Sequence, residues 1–323
     1  MSYDVVALGE LLVDFTWVGT DADGYPTLAA HPGGAPANFL AALTRYGASA
    51  ALLGKVGDDA FGRLLADTLL AAGIGAEGLT VDPAVFTTLA FVTLDRNGDR
   101  SFSFARKPGA DICLRAEEVD LTLIEDARVF HFGSLSLTGE PACTATRRAV
   151  AHARACGKMV TFDPNLRTML WPSPDRAREE IFWGLAQADV VKLSGEELAF
   201  LYGNVSREAG VRRILEERDV KLVFLTLGAE GCLYANGQTW GQVPALRGIS
   251  PLDTTGAGDI FGGSAVWGLL RSGKRPEVLG DAELEEITRF ACAAAGLSTT
   301  RPGGISSVPG LEEVLERMGR DDP

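Results

Sequence analysis

The chain has 323 residues, 46% apolar and 23% charged, which suits a globular unit with a large core of its own. A formal charge of -13 and the lack of a long Lys/Arg run argue against a protein that coats nucleic acid. Five widely spaced cysteines without a Cys-x-x-Cys pair, and three histidines outside any metal-binding spacing, read as reduced thiols and ordinary side chains, not as a disulfide or zinc framework.

Tyr3 to Leu8 is a short apolar run ending at Gly9, the pattern of a buried strand and not of a signal peptide. Pro36 to Tyr46 carries small and apolar residues at helical spacing. Ala50 to Leu53 is again strand-like, and Phe61 to Ala72 again helical. Further apolar runs at Val129–Phe132, Met159–Phe162, Val190–Leu193 and Leu222–Leu227 are separated by helical stretches at Ala142–Cys156 and Arg176–Gln187. Strands alternating with helices predict βαβ units and a mostly parallel sheet covered on both faces. Two stretches break the alternation. Residues 15–31 are extended and turn-rich around Asp23-Gly24. Thr88–Phe104 alternates about Asn97-Gly98, a tight hairpin signal. Together they predict a small β-sheet flap over the strand ends, where ligands sit in open α/β sheets. No apolar stretch reaches the ~18 residues that a membrane span needs, so a cytoplasmic protein is expected.

The densest chemistry lies in Asp253-Thr-Thr-Gly-Ala-Gly-Asp259-Ile-Phe-Gly-Gly263, with a helix starting inside it and running to about Leu270. Gly256, Ala257 and Gly258 allow a close backbone turn whose N–H groups point outward at a helix N-terminus, an anion-binding arrangement. A carboxylate beside an anion hole repels a ligand that is only bound. It makes sense if Asp259 removes a proton from an attacking hydroxyl. A glycine-rich helix cap with an aspartate on the helix dipole explains the bare pattern equally well. A second segment, Pro32-Gly-Gly-Ala-Pro-Ala-Asn38, places paired glycines and an amide before a helix.

Residues DTTGAGDIFGG resemble the C-terminal signature of the ribokinase-like (PfkB-type) carbohydrate kinases. PGGAPANFLAALTRYG followed by LLGKVGDDAFG resembles their N-terminal signature, in the expected order and separation. Within the family, FARKPGAD, HFGSLSL, FDPNLRTMLWPS and VKLSGEEL are most similar to fructokinases, with Ala105 where those enzymes usually carry an aromatic residue. The resemblance implies a ribokinase-like three-layer α/β/α sandwich, one domain over 1–323, with a mostly parallel central sheet and a small β-sheet lid at about 15–31 and 86–107. It implies ATP and Mg2+, a sugar substrate, a potassium-type cation in several relatives, and a homodimer through the lid, without nucleic-acid or membrane partners.

Residue by residue, the resemblance implies that Asp259 is the base and Gly256, Ala257 and Gly258 the anion hole. It implies that Asp14, Gly34, Asn38, Arg106 and Arg167 bind sugar, and that Lys192, Ser194, Thr226, Gly228 and Gly231, with Gly256 and Gly258, bind nucleotide. Glu197 positions magnesium through water; Asp253, Thr255, Gly303 and Ser307 match the monovalent-cation positions. D-Fructose phosphorylated at its 6-hydroxyl is the expected reaction. The alternatives are 2-keto-3-deoxygluconate, whose carboxylate both arginines would pair, and a non-catalytic sugar-binding regulator. No P-loop or protein-kinase motif is present.

Overall fold

A computed structural model describes residues 2–94 and 100–320. Strands β1 (Val5–Leu8), β2 (Leu12–Thr20) and β3 (Pro26–Gly33) precede helix α1 (Ala35–Arg45). Then come β4 (Ala50–Gly57), α2 (Ala60–Ala71), β5 (Ile74–Gly75), β6 (Leu79–Asp82), β7 (Leu89–Leu94) and β8 (Arg100–Ala105). Alternation resumes with α3 (Leu121–Glu125), β9 (Val129–Gly133), α4 (Ala142–Ala155), β10 (Met159–Asp163), α5 (Pro174–Gln187), β11 (Val190–Ser194), α6 (Gly195–Tyr202), α7 (Arg207–Arg218) and β12 (Leu222–Thr226). The chain continues through β13 (Cys232–Asn236), β14 (Trp240–Val243), α8 (Ala257–Ser272), α9 (Asp281–Ser298) and α10 (Leu311–Arg320).

Among the described residues, ten strands form the main sheet in the order β14-β13-β12-β11-β10-β9-β1-β4-β5, with β6 beside β4. Pairing is parallel from β5 to β12. Successive side chains leave opposite faces. Val6 and Leu8 join Phe130, Phe132 and Phe162 in a core against α4, α5 and α7. Val5 and Ala7 join the core against α1, α8 and α9. Both faces are covered, so these strands read as continuous apolar runs. The antiparallel edge pair β13–β14 was not anticipated. Its signal was Asn236-Gly237: the Asn236 side chain accepts from Gln238 N–H and Thr239 N–H, both at 2.9 Å, and closes the turn. Among the described residues, no helix is long and apolar enough to cross a membrane.

A second, four-stranded sheet has the order β3-β2-β7-β8. It occupies the two stretches that broke the alternation. The Asn97-Gly98 turn lies outside the described residues. The other turn is closed by Asp21, whose Oδ1 accepts from Asp23 N–H (3.0 Å) and Tyr25 N–H (2.8 Å). The chain passes from β1 to this sheet through Gly9 to Leu11, and returns from it to α1 through Gly34.

Helices α1 and α8 pack closely against each other. A Cβ on Gly263 would stand 2.2 Å from Phe39 O and 2.9 Å from the Ala42 Cβ, so only a hydrogen fits there. Trp267 Nε1 donates to Tyr46 O (3.0 Å) at the far end of the same contact. This packing fixes the N-terminus of α8 over the end of α1. Gly263→Ala should push the helices apart and cost about 1–3 kcal/mol, as overpacking does; urea unfolding of wild type and variant measures it.

Candidate active site

The site lies at the C-terminal ends of the parallel strands, where β1, β10, β11 and β12 stop and the N-terminus of α8 begins. Gly256 is the N-cap of α8, at φ 74°. The first intrahelical bond runs from Ile260 N–H to Gly256 O (2.8 Å). The N–H groups of Gly258 and Asp259 precede it and have no carbonyl of their own helix to meet. Ala257 N–H turns toward Thr254 O at 3.3 Å. Asp259 is 9% exposed, and its Oδ2 accepts from Asn38 Nδ2 at 2.9 Å. Asn38 is wedged in place: a Cβ on Gly304 would fall 2.1 Å from its Oδ1.

Three carboxylates surround one ammonium here. Lys192 Nζ, from β11, donates to Asp163 Oδ2, at the end of β10, at 2.8 Å. It also lies under the α8 turn, 2.8 Å from where a Cβ on Gly258 would stand. Burial opposes the charge on Lys192, but Asp163, Glu197 and Asp259 outweigh it and raise its pKa. Burial pushes Asp163 up to about 7 against the pull of Lys192, with Glu197 and Asp259 adding to the rise. Asp259 is raised too, again by burial first, while Lys192, the Asn38 hydrogen bond and Arg167 oppose the shift.

The polar groups near Asp259 come from β2, the turn into α1 and the turn after β10. The Asp14 carboxylate lies over Gly33, its Oδ2 2.5 Å from where a Cβ there would be. Burial lifts Asp14 to about 6; Arg167 works against the rise, and Asp259 and Asp253 add to it. Arg167 follows a turn in which Asn165 takes φ 43° and its N–H donates to Asp163 Oδ1 (3.1 Å). Arg167 Nη1 donates only weakly, to the carbonyls of Asn165 (3.4 Å) and Leu166 (3.2 Å). Arg106 is held by protein groups. Its Nε donates to Asp111 Oδ2 (2.8 Å), its Nη1 to Thr138 Oγ1 (2.8 Å) and its Nη2 to Leu135 O (3.0 Å). Its side chain is 6% exposed. In this conformation it braces the return from the small sheet, because a buried guanidinium must meet acceptors and Asp111 is the nearest charge.

On the other side of the α8 turn opens a cleft of about 1170 Å³, bordered by Ser194, Thr226, Gly228, Gly231, Ala257 and Gly258. Leu227, Leu246, Ile249 and Phe261 give it apolar walls. The expected nucleotide residues other than Lys192 and Gly256 thus line one cavity. Glu197 accepts from Leu166 N–H (2.8 Å) through Oε1 and from Ser194 N–H (2.7 Å) through Oε2, closing a capping box with Ser194. Among the described residues, no three acidic, His or Cys side chains form a metal cage. Asp253 binds Thr255 N–H (2.9 Å) and Oγ1 (2.7 Å) through Oδ1, and Gly303 N–H (3.0 Å) through Oδ2. Ser307, buried nearby in the chain, turns its hydroxyl back to Gly304 O (2.8 Å). These oxygen-only groups are of the kind a hard monovalent cation takes.

A helix N-terminus facing a nucleotide-sized cleft, with a buried carboxylate one residue beyond the lining Gly258, is the arrangement of a phosphotransferase acting on a small hydroxyl compound. The chain belongs to the pfkB carbohydrate kinase family, whose profile, described as "pfkB family carbohydrate kinase", matches residues 3–311. It is 44% identical to Fructokinase-1 of Zea mays over 97% of this chain and 96% of that one. A fructokinase from Xylella fastidiosa with bound ATP superposes with a TM-score of 0.91 at 32% identity, covering 99% of this chain and all of that one. A double-mutant fructokinase from Vibrio cholerae O395 in a fructose, ADP and potassium ion bound form gives 0.86 at 31% identity, covering 98% and 99%. The chain is therefore a carbohydrate kinase of ribokinase-like fold.

Sequence reasoning missed Asp163 and Asp111. The signal for Asp163 was an acid ending an apolar strand just before a Pro-Asn turn. Lys192→Met should be destabilising by about 3–5 kcal/mol at pH 8, the range for breaking a buried pair. The loss should shrink at pH 5. A carboxyl whose folded pKa is raised, as at Asp163, favours folding below its unfolded value and loses that contribution as pH rises. Denaturant melts at both pH values test this, and an equal loss at both would contradict it.

Proposed function

We propose that this kinase transfers the γ-phosphoryl group of ATP to the 6-hydroxyl of D-fructose, giving ADP and fructose 6-phosphate. The observation that carries this reading is Asp259, held by Asn38 and one residue beyond Gly258, which lines the cleft at the α8 turn. Asp259 takes the hydroxyl proton as the oxygen forms its bond to the γ-phosphorus and the bond to the β,γ-bridging oxygen breaks. The free N–H groups at the start of α8 and the Lys192 ammonium beneath it receive the charge that develops on the transferring group. Asp14, Gly34, Asn38 and Arg167 orient the sugar.

Glu197 would hold magnesium through water, which supplies charge neutralisation on the phosphates. Asp253, Thr255, Gly303 and Ser307 would hold potassium beside the anion turn. The small sheet serves as lid, and its exposed Trp17, Val18 and Tyr25 fit a homodimer contact. All five cysteines are free, which fits a reducing cytoplasm. A keto-acid substrate is less favoured, because Arg106 already spends its charge on Asp111.

Coupled ADP release with magnesium-ATP should prefer fructose over 2-keto-3-deoxygluconate, ribose and adenosine; preference for the keto acid would reassign Arg167 to a carboxylate. Asp259→Asn should lower kcat by roughly 10²–10⁴-fold. Because the base must be ionised and its pKa is raised, wild-type kcat/KM should fall on acidification with a midpoint above the ordinary carboxylate value of about 4.

A further inference from the structure

One buried carboxylate has no part in the reaction as described. Glu10 is 3% exposed and stands where the chain leaves β1 for the small sheet. Its Oε1 accepts from Ala35 N–H at 2.9 Å. Helix α1 needs that acceptor: its N-cap, Gly34, has no side chain to offer, and its first turn holds no acidic residue. The Glu10 backbone grips the same turn. Gly34 takes φ 117°, and a Cβ on it would stand 2.4 Å from Glu10 O. One helical turn further, Asn38 N–H donates to Gly34 O (3.0 Å), and its side chain holds Asp259. An unbroken chain of contacts thus runs from the end of β1 through Gly34 and Ala35 to Asn38 and the base.

We infer that Glu10 is a positioning residue, whose carboxylate caps α1 from outside the helix and thereby sets Asn38 against Asp259 and the sugar. The inference rests on Asp259 acting as base. The charged groups facing Glu10 are Arg106 and Asp111, from the return of the small sheet. Burial pushes Glu10 up to about 7, its own and Ala35's N–H groups oppose the rise, Asp111 adds to it and Arg106 opposes it. A protonated Glu10 still has a carbonyl oxygen to accept from Ala35 N–H, so the contact itself persists on acidification.

Glu10→Ala, Glu10→Gln, Asn38→Ala and the double variant Glu10→Ala/Asn38→Ala should be compared by steady-state kinetics from pH 5.5 to 8.5, with thermal melts alongside. Glu10→Ala should lower kcat roughly 10-fold, the scale expected of a small misplacement, while KM for ATP stays within about twofold. Glu10→Gln keeps a neutral acceptor for Ala35 N–H. It should recover most of the loss, and because protonated Glu10 offers Ala35 N–H the same neutral acceptor, its kcat–pH profile should stay close to that of wild type. The double variant should fall short of the product of the two single effects, because both act through one contact chain. Multiplying effects, or an unchanged kcat in Glu10→Ala despite a lower melting temperature, would overturn the inference and leave Glu10 a purely structural cap. An Asp259→Asn enzyme that stays active while Glu10→Ala fails would instead remove the base assignment.

Discussion

The top of the sheet is organised around a shortage of positive charge. Asp163, Glu197 and Asp259 come from β10, α6 and α8 and converge on the single Lys192 ammonium. Ionised carboxylates out of water are unfavourable unless paired and hydrogen-bonded. Each has a further partner: the Asn165 N–H for Asp163, two backbone N–H groups for Glu197, and the Asn38 amide for Asp259. The balance is incomplete, and Asp163 and Asp259 both sit above their ordinary pKa values. A carboxylate whose pKa is raised takes up a proton more readily than a solvated one, so the same shortage that strains the fold raises the proton affinity of Asp259.

The turn that faces this cluster is shaped by absences of side chain. At Gly258 a methyl group would meet the Lys192 ammonium, and at Gly304 it would meet the Asn38 amide. The N-terminal and C-terminal signatures are therefore two halves of one object. The first supplies Asn38 and the Glu10-capped helix that carries it. The second supplies Asp259 and the N–H groups beside it. The first turn of α8 gives Ala257 and Gly258 to the cleft and Asp259 to Asn38.

Much of this was legible before any coordinates. The apolar runs named β1, β9, β10, β11 and β12 to within two residues, because strands buried on both faces leave an uninterrupted signal. The signatures pointed to Asp259, Asn38 and the glycines, and at Gly258 and Gly263 close approach leaves no room for a side chain. What stayed hidden depends on partners distant in sequence. Arg106 looked like a ligand-binding arginine, and only folding brings Asp111, Thr138 and Leu135 O around it. Asp163 and Glu10 look like ordinary strand-end acids until the sheet places Lys192 beside one and the N-terminus of α1 beside the other. The β13–β14 pair was hidden for a plainer reason: its Asn-Gly turn was the same signal used at residues 97–98, not applied a second time.

The bond between Asn38 and Asp259 joins residues 221 apart in the chain. Contacts of such separation form late, after the loop-closure entropy of the intervening segments has been met. During refolding, βαβ units can dock and much of the sheet can assemble while Asp259 still has no amide to hold it. Recovery of catalysis should therefore trail recovery of secondary structure, and partial folds should be inert toward ATP hydrolysis.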